Sequence, residues 1–508
     1  MPEHMKALAY VLAISIPVLF VAGRIAIPLI GRREFALWKY SWLVTTIAVF
    51  LSRDFMLFAA FTGLLSFVIH RHAQRPAMLY IVLLFAAPCV SIGFGIPGLF
   101  NRITDLNLPR LLGLFLLLPI ALKQLQEPSS RVLRGSDLPV LCMWLLWNIL
   151  AIRQDDINAT LRLLPGYTLD IFLPYFAISR SIRTSDHVNQ TLLAFAVAVM
   201  PLAAIGIFEI LRSWRIYYSV VLDWDVVLIT PYLFRDGLLR AAATAIEAIA
   251  FGFICMVGAG ALLSIRSSRM RVWWRGFALC FLLGGLAASI SRGPWLGFVI
   301  FIVTIAAADR HVRWSFASKL MPLMVIGIFL VPNSLLDRVI GLLPFVGSVG
   351  DGTETYRELL FQQSLLVIQQ NLLFGTKDFL SAPEMQILIQ GQGIIDVVNS
   401  YLQVALEFGL VGFTFFVSAF LTIGCQLMYR IVKGGQDDVY YQGLLGVLIA
   451  ICFTIITTSS VTFITYICWS FAGLLAGALR IPSTRLNPDA SRSASVTPQA
   501  LRIIGRGI

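Results

Sequence analysis

Apolar runs recur along this chain from one end to the other, and most are long enough to cross a bilayer. That feature restricts the fold more than any motif does. In hydrocarbon every backbone N–H and C=O must be satisfied within the protein, so spanning segments are helices or closed barrels. A barrel would show short alternating segments. These runs are continuous, and the chain reads as an all-α polytopic integral membrane protein. Spans fall near 7–23, 40–51, 55–69, 77–95, 111–122, 138–151, 166–178, 190–210, 241–263, 277–290, 295–308, 320–332, 399–429, 441–458 and 461–479. This gives roughly 12–15 transmembrane helices in one domain over 1–480, with 331–398 as a large outer loop. Residues 481–508, rich in Ser, Arg and Pro, read as a disordered tail. The first run, Ala7–Gly23, resembles a signal sequence in length, but no small-residue cleavage site follows it, and it is taken as the first span. A content of 58% hydrophobic and 13% charged residues excludes a soluble protein of this length.

The formal charge of +12 would point to nucleic acid in a soluble protein. Here its distribution points elsewhere, and no nucleic-acid partner is expected. Alternate short loops, with the tail, hold 25 of the 39 Lys and Arg. The positive-inside rule puts that set in the cytoplasm and the 331–398 loop outside.

Within this frame one cation stands out. Ser289-Ile-Ser-Arg-Gly-Pro-Trp-Leu-Gly297 holds Arg292 between the apolar runs Phe277–Ala288 and Trp295–Ala307. Placing a cation at that depth costs on the order of 3 kcal/mol or more. Gly293 and Pro294 break the helix and free backbone groups beside the charge. The bland reading is a side chain that snorkels from a helix end; the functional one is a fork for phosphate oxygens.

Two further places repeat the pairing of Arg with carboxylate. Arg240 enters a span, and Glu247, seven residues on, is expected on the same helical face. Arg357 lies near the start of an outer helix expected from Thr353 and stopped near Gly375, with Leu359, Leu360, Phe361, Leu365, Leu366, Ile368 and Leu372 as its apolar face. The loop re-enters the membrane at Asp396 and Asn399, with Tyr401 following. Glu407 lies deeper, and Gly409 and Gly412 allow close helix approach. Three arginines and no metal-ligand spacing of His, Cys or carboxylate suit a phosphate or pyrophosphate. The aromatics Trp214, Tyr217, Tyr218, Trp224 and Tyr232 are expected as an interface belt or as platforms for sugar rings. The seven cysteines read as small buried hydrophobes. Of the five histidines, none lies in the outer loop, and His4 is the N-terminal one.

Together these residues resemble the O-antigen ligase and polymerase family. Ser291-Arg292-Gly293 is similar to the family's intramembrane Ser-Arg-Gly. Tyr356-Arg357 through Asn371-Leu-Leu-Phe-Gly375 is similar to its periplasmic-loop helix. Asn399-Ser-Tyr-Leu402 with Glu407-Phe-Gly-Leu-Val-Gly412 is similar to its His-Asn-x-x-Leu…Glu-x-Gly-x-x-Gly segment, and Arg240 to an Arg entering an earlier span. The resemblance covers about residues 235–415.

It implies a multi-span architecture of GT-C-like type in the bacterial inner membrane, with a site facing the periplasm and no cofactor or metal. The substrate class it implies is oligosaccharide on undecaprenyl pyrophosphate. A chain-length regulator and a flippase of the same pathway are the implied partners, besides the bilayer. It assigns pyrophosphate binding to Arg240, Arg292 and Arg357, and supporting roles to Ser291, Asn399 and Tyr401. The family's ligases carry a His before the Asn; here Val398 stands in its place. That favours a polymerase over a ligase and leaves the base to Asp396 or Glu247, then Glu407. A transporter or flippase of an anionic or lipid-linked solute is the reading from another class. The chain shows neither an inverted repeat nor paired broken helices in its favour.

Overall fold

The computed structural model describes residues 2–96, 100–128, 132–226, 228, 232–235, 237–308, 351–390, 393–433 and 438–482. The expected span 320–332, the first part of the outer loop (331–350), His311 and the tail from 483 lie outside the described residues. Among the described residues, four helices are long and apolar enough to cross a membrane: Glu3–Ile30, Leu108–Gln126, Ser185–Arg212 and Ser400–Val432. Shorter apolar helices include Phe55–His70, Ala248–Ser264, Val272–Ala288, Arg292–Ala308, Asp438–Thr454 and Ile464–Arg480. The chain is mostly helical and has the build of a multi-pass membrane protein.

Ser185–Arg212 is the central post. Thr184 caps its start, its hydroxyl accepting from the His187 amide at 3.3 Å. From Val188 to Gly206 it is apolar and buried almost all round, as expected of a helix enclosed by others. Glu3–Ile30, Ala248–Ser264 and Val272–Ala288 pack against it.

Several expected spans are corrected. The segment 77–95 is helical only over Pro76–Leu83. Pro88 disfavours helix just before itself, and Ile92–Ile96 then pairs antiparallel with Phe100–Leu106, Ile92 opposite Leu106. Trp224 and Tyr217 are not at an interface but in the core. Trp224 stacks on Phe58 at 5.1 Å and donates to the Ser52 carbonyl, and Tyr217 packs on Phe50. Cys280 and Cys425 are exposed on helix surfaces, unlike the buried Cys89, Cys255 and Cys468.

The outer helix runs Asp351–Gln370, starting two residues before Thr353. Its buried stripe is Leu360, Ser364, Val367 and Ile368, spaced i, i+4, i+7, i+8. Phe361, Leu365, Leu366 and Leu372, assigned to that face from sequence, are exposed. The stripe packs with Met385, Leu388, Leu402 and Leu406 as a small second core over the end of the bundle.

Ser400–Val432 is broken at Gly409, whose φ of 64° suits glycine. The close approach expected there is not helix against helix. A Cβ on Gly409 would sit 2.4 Å from the Leu373 carbonyl, so the outer-loop turn enters the break. The freed groups find partners in that turn: Leu410 N–H donates to Leu372 O, Val411 N–H to Leu373 O, and Thr376 N–H to Leu406 O. Arg153 closes the junction, donating to the carbonyls of Phe374, Gly375 and Glu407 at 2.9–3.0 Å.

Candidate functional site

The helix Val272–Ala288 ends where the polar run begins. Ile290 takes a φ of 45°, and the next helix starts at Arg292. A β-branched residue at positive φ is strained by about 1–3 kcal/mol. Two more stand nearby in sequence to residues of this site: Ile246, φ 67°, before Glu247, and Thr462, φ 49°, after Ser459. The turn is held by Trp295, whose indole N–H donates to Leu286 O at 2.8 Å, and by Ser291, whose hydroxyl lies 3.2 Å from Ala248 O. Arg292 therefore stands at a helix N-terminus, where backbone N–H groups and the helix dipole already favour an anion.

Arg240 meets this turn from another part of the chain. Its guanidinium donates to Ser291 Oγ at 2.9 Å and to Ser289 O at 3.4 Å. The expectation that Arg240 opens a helix with Glu247 on the same face is corrected. Arg240 follows the short strand Leu238–Leu239, a 3-10 turn spans Ala243–Ala245, and the helix begins only at Ala248, with Glu247 as its N-cap. The two residues interact, but through the fold of this turn and not through helical spacing.

The turn is shaped by a residue that sequence reading overlooked. Glu209, fully buried at the end of the central post, accepts from the amides of Ile216, Ala242 and Ala243 at 2.9–3.1 Å, and Arg215 lies 3.9 Å away. Arg215 also donates to Ile246 O. Glu209→Ala would leave three buried amides and a buried cation without their acceptor. It is expected to cost about 3–5 kcal/mol, read as a lowered denaturation midpoint in mixed micelles.

The remaining groups converge here. Arg235 donates to Ile290 O at 3.4 Å, and its pKa is lowered by burial first and then by the charges of Arg292 and Arg357. Arg357 reaches Thr457 O at 3.3 Å. Thr457 also abuts Gly293, where a Cβ would lie 2.2 Å from its hydroxyl, so only glycine lets the two segments meet. Asp396 accepts from Ser459 Oγ at 2.7 Å, and its carbonyl from Tyr356 OH at 3.0 Å. Glu247 lies ahead of its helix. Burial foremost, and then Asp396, pushes its carboxyl up to about 7, while Arg240 pulls it down.

The geometry thus brings together Arg240, Arg292, Arg357, Glu247, Asp396 and Ser291, and adds Arg235. Four guanidinium groups and two carboxylates leave a formal excess of positive charge at a helix N-terminus, which an anionic ligand would relieve. The other expected residues serve elsewhere. Asn399 caps Ser400–Val432, accepting from the amides of Tyr401 and Leu402. Tyr401 donates to Cys452 O and packs on Phe416. Glu407 accepts from Tyr167 OH at 3.2 Å and lines a separate cavity of about 180 Å³ with Trp147, Phe408, Asp170 and Trp469. His4, read only as N-terminal, stands 3.6 Å from Asp223. The polar run Thr457-Thr-Ser-Ser460 falls at the junction of the expected spans 441–458 and 461–479; four hydroxyls in succession between apolar runs are its signal in the sequence.

No curated protein matches the chain. A family model described as O-Antigen ligase matches residues 276–417. The match takes in Arg292, Arg357 and Asp396, while Arg235, Arg240, Glu247 and the 457–460 run come from outside it. Over residues 276–417, then, this chain is similar to the O-antigen ligase family.

Proposed function

We propose that the protein is a membrane glycosyltransferase that polymerises oligosaccharide repeat units carried on undecaprenyl pyrophosphate, working at the periplasmic face of a bacterial inner membrane. The observation that carries this reading is the convergence of Arg235, Arg240, Arg292 and Arg357 on a helix N-terminus with Glu247 and Asp396 beside them. The acceptor hydroxyl attacks the anomeric carbon of the donor. The bond to the pyrophosphate oxygen breaks, its electron pair leaves with the lipid pyrophosphate, and the hydroxyl proton passes to a carboxylate. Guanidinium groups in a site shielded from water neutralise the leaving group, each as a charge-assisted donor. A sugar hydroxyl is a weak acid and needs a base. Glu247 and Asp396 are the candidates; Glu407, hydrogen-bonded to Tyr167 in a separate cavity, lies apart from them. Val398 in place of the family's histidine supports chain growth between lipid carriers over ligation to a separate acceptor.

A deletion strain complemented with the wild-type gene tests this. Loss of the protein is expected to leave single repeat units on the lipid carrier and no long chains. Accumulation of long lipid-linked chains would instead mark a ligase. Unchanged glycans, with a solute failing to cross the membrane, would mark a transporter.

A further inference from the structure

We propose a second anion site, for a phosphate-bearing ligand, in a basic pocket at the other end of the bundle. The central helix links the two ends. His187 and Thr191 near its start line the pocket, and Glu209 near its finish holds the turn that carries Arg240. The 22 residues from His187 to Glu209 rise by roughly 33 Å at ~1.5 Å each. The pocket is therefore a full helix length from the arginine cluster.

Its volume is about 370 Å³, room for a phosphate and the glycerol attached to it. Arg75, Lys123, Arg180 and Arg183 line it. Two of these are engaged: Arg183 pairs with Glu127 at 2.6 Å, and the buried Arg180 with Asp137 at 3.0 Å. Arg75 and Lys123 form no ion pair among the described residues; Glu34 and Asp186 act on Arg75 as nearby charges without direct contact. His70 adds an imidazole whose Nδ1 is shielded from solvent and has no hydrogen-bond partner among the described residues. Arg75 and Lys123 line one concave space with the His70 ring in its wall, and a guanidinium with an ammonium is a donor set that a phosphate takes.

Loop charge bias alone accounts for positive residues at this end of the bundle. It does not account for their facing a cavity with Pro119, Ile120 and Ile178 in its wall. That combination of cationic groups and apolar wall fits an anionic phospholipid headgroup in the cytoplasmic leaflet, where basic pockets between helices bind such lipids. A soluble phosphate shares the chemistry and is the second source.

The full chain in phosphatidylcholine nanodiscs, with and without phosphatidylglycerol, provides the test, with inorganic phosphate as the soluble probe. Retained lipid is read by native mass spectrometry and bound phosphate by calorimetry. Lys123 is exposed, so Lys123→Glu should fold even if Arg75→Gln does not. Arg271→Glu, in a basic patch elsewhere on the surface, is the charge-matched control. Wild type is expected to retain phosphatidylglycerol at least about tenfold more tightly than Lys123→Glu, with phosphatidylcholine and the Arg271 variant unchanged. Phosphate binding that Lys123→Glu abolishes, without lipid retention, supports the site with a soluble occupant. Equal retention by wild type and Lys123→Glu, or equal loss in Arg271→Glu, overturns it.

Discussion

Arg292→Ala is expected to lower turnover of a lipid-linked repeat unit by about 10²–10³-fold, measured with purified protein and sized glycan products. Arg292 stands at the start of Arg292–Ala308, where the first-turn N–H groups also favour an anion, in a cluster with three other guanidinium groups. In the proposed reaction the pyrophosphate gains charge as it leaves, and a fixed donor in a dry site is worth more in that transition state than in the ground state. Arg292→Lys keeps the charge and loses the planar fork, so it is expected to recover only part of the rate. The fold should be little affected, because removing one of several like charges also removes repulsion. Loss of activity with an unchanged denaturation midpoint would separate a role in the reaction from a role in the fold. Loss of both would move Arg292 to the structural side.

Glu247→Gln is the second substitution with a large expected effect, about 10²–10⁴-fold in rate. The argument is also one of pH. A base works in its deprotonated form. Burial and Asp396 push Glu247 up to about 7, so wild-type activity is expected to fall as pH drops below about 7, by roughly tenfold per unit. An ordinary carboxylate would keep its activity down to about pH 4–5. Glu247→Gln should remove that acidic limb along with most of the rate. Asp396→Asn removes the negative charge that helps raise Glu247, and the limb is then expected to move to lower pH. If Asp396→Asn instead abolishes turnover while Glu247→Gln retains it with the limb intact, the roles of base and partner are reversed.

The features legible in the sequence were those that depend on short-range chemistry. An apolar run long enough for a bilayer reads as a helix without any knowledge of its neighbours. A lone Arg in such a run, with Gly and Pro beside it, marks a break and a charge that must find a partner. The order of Ser291-Arg292-Gly293, Tyr356-Arg357, Asn399-Ser-Tyr-Leu402 and Glu407-Phe-Gly-Leu-Val-Gly412 supported a resemblance to which the match over residues 276–417 corresponds.

The failures have a common physical origin. Arg240 and Glu247 were put on one helical face because seven residues make two turns, yet a buried Glu209 from another helix draws the 242–243 amides into a turn that no local pattern encodes. Gly409 was assigned to helix packing because glycine permits close approach, and only the fold shows that the partner is the outer-loop turn at 373–375. Trp224 and Tyr217 looked interfacial because aromatic side chains suit that depth, until Phe58 and Phe50 were seen to cover them. The Thr457–Ser460 run lies 100 residues and more from the arginine it meets, and Arg357 reaches it only through the packing of the outer helix.

By itself, then, the sequence determined that this chain forms apolar helices of the kind that cross a bilayer, and it set arginines and carboxylates close together along the chain in the stretches from Arg240, Arg357 and Asp396. The helices follow from solvation, which each residue carries with it. Only the tertiary structure decided which arginines meet, that Glu247 faces Asp396 while Glu407 turns to Tyr167, and that a fully buried Glu209 sets the turn between them. Those contacts join residues far apart in the chain, and they exist only once the helices have packed.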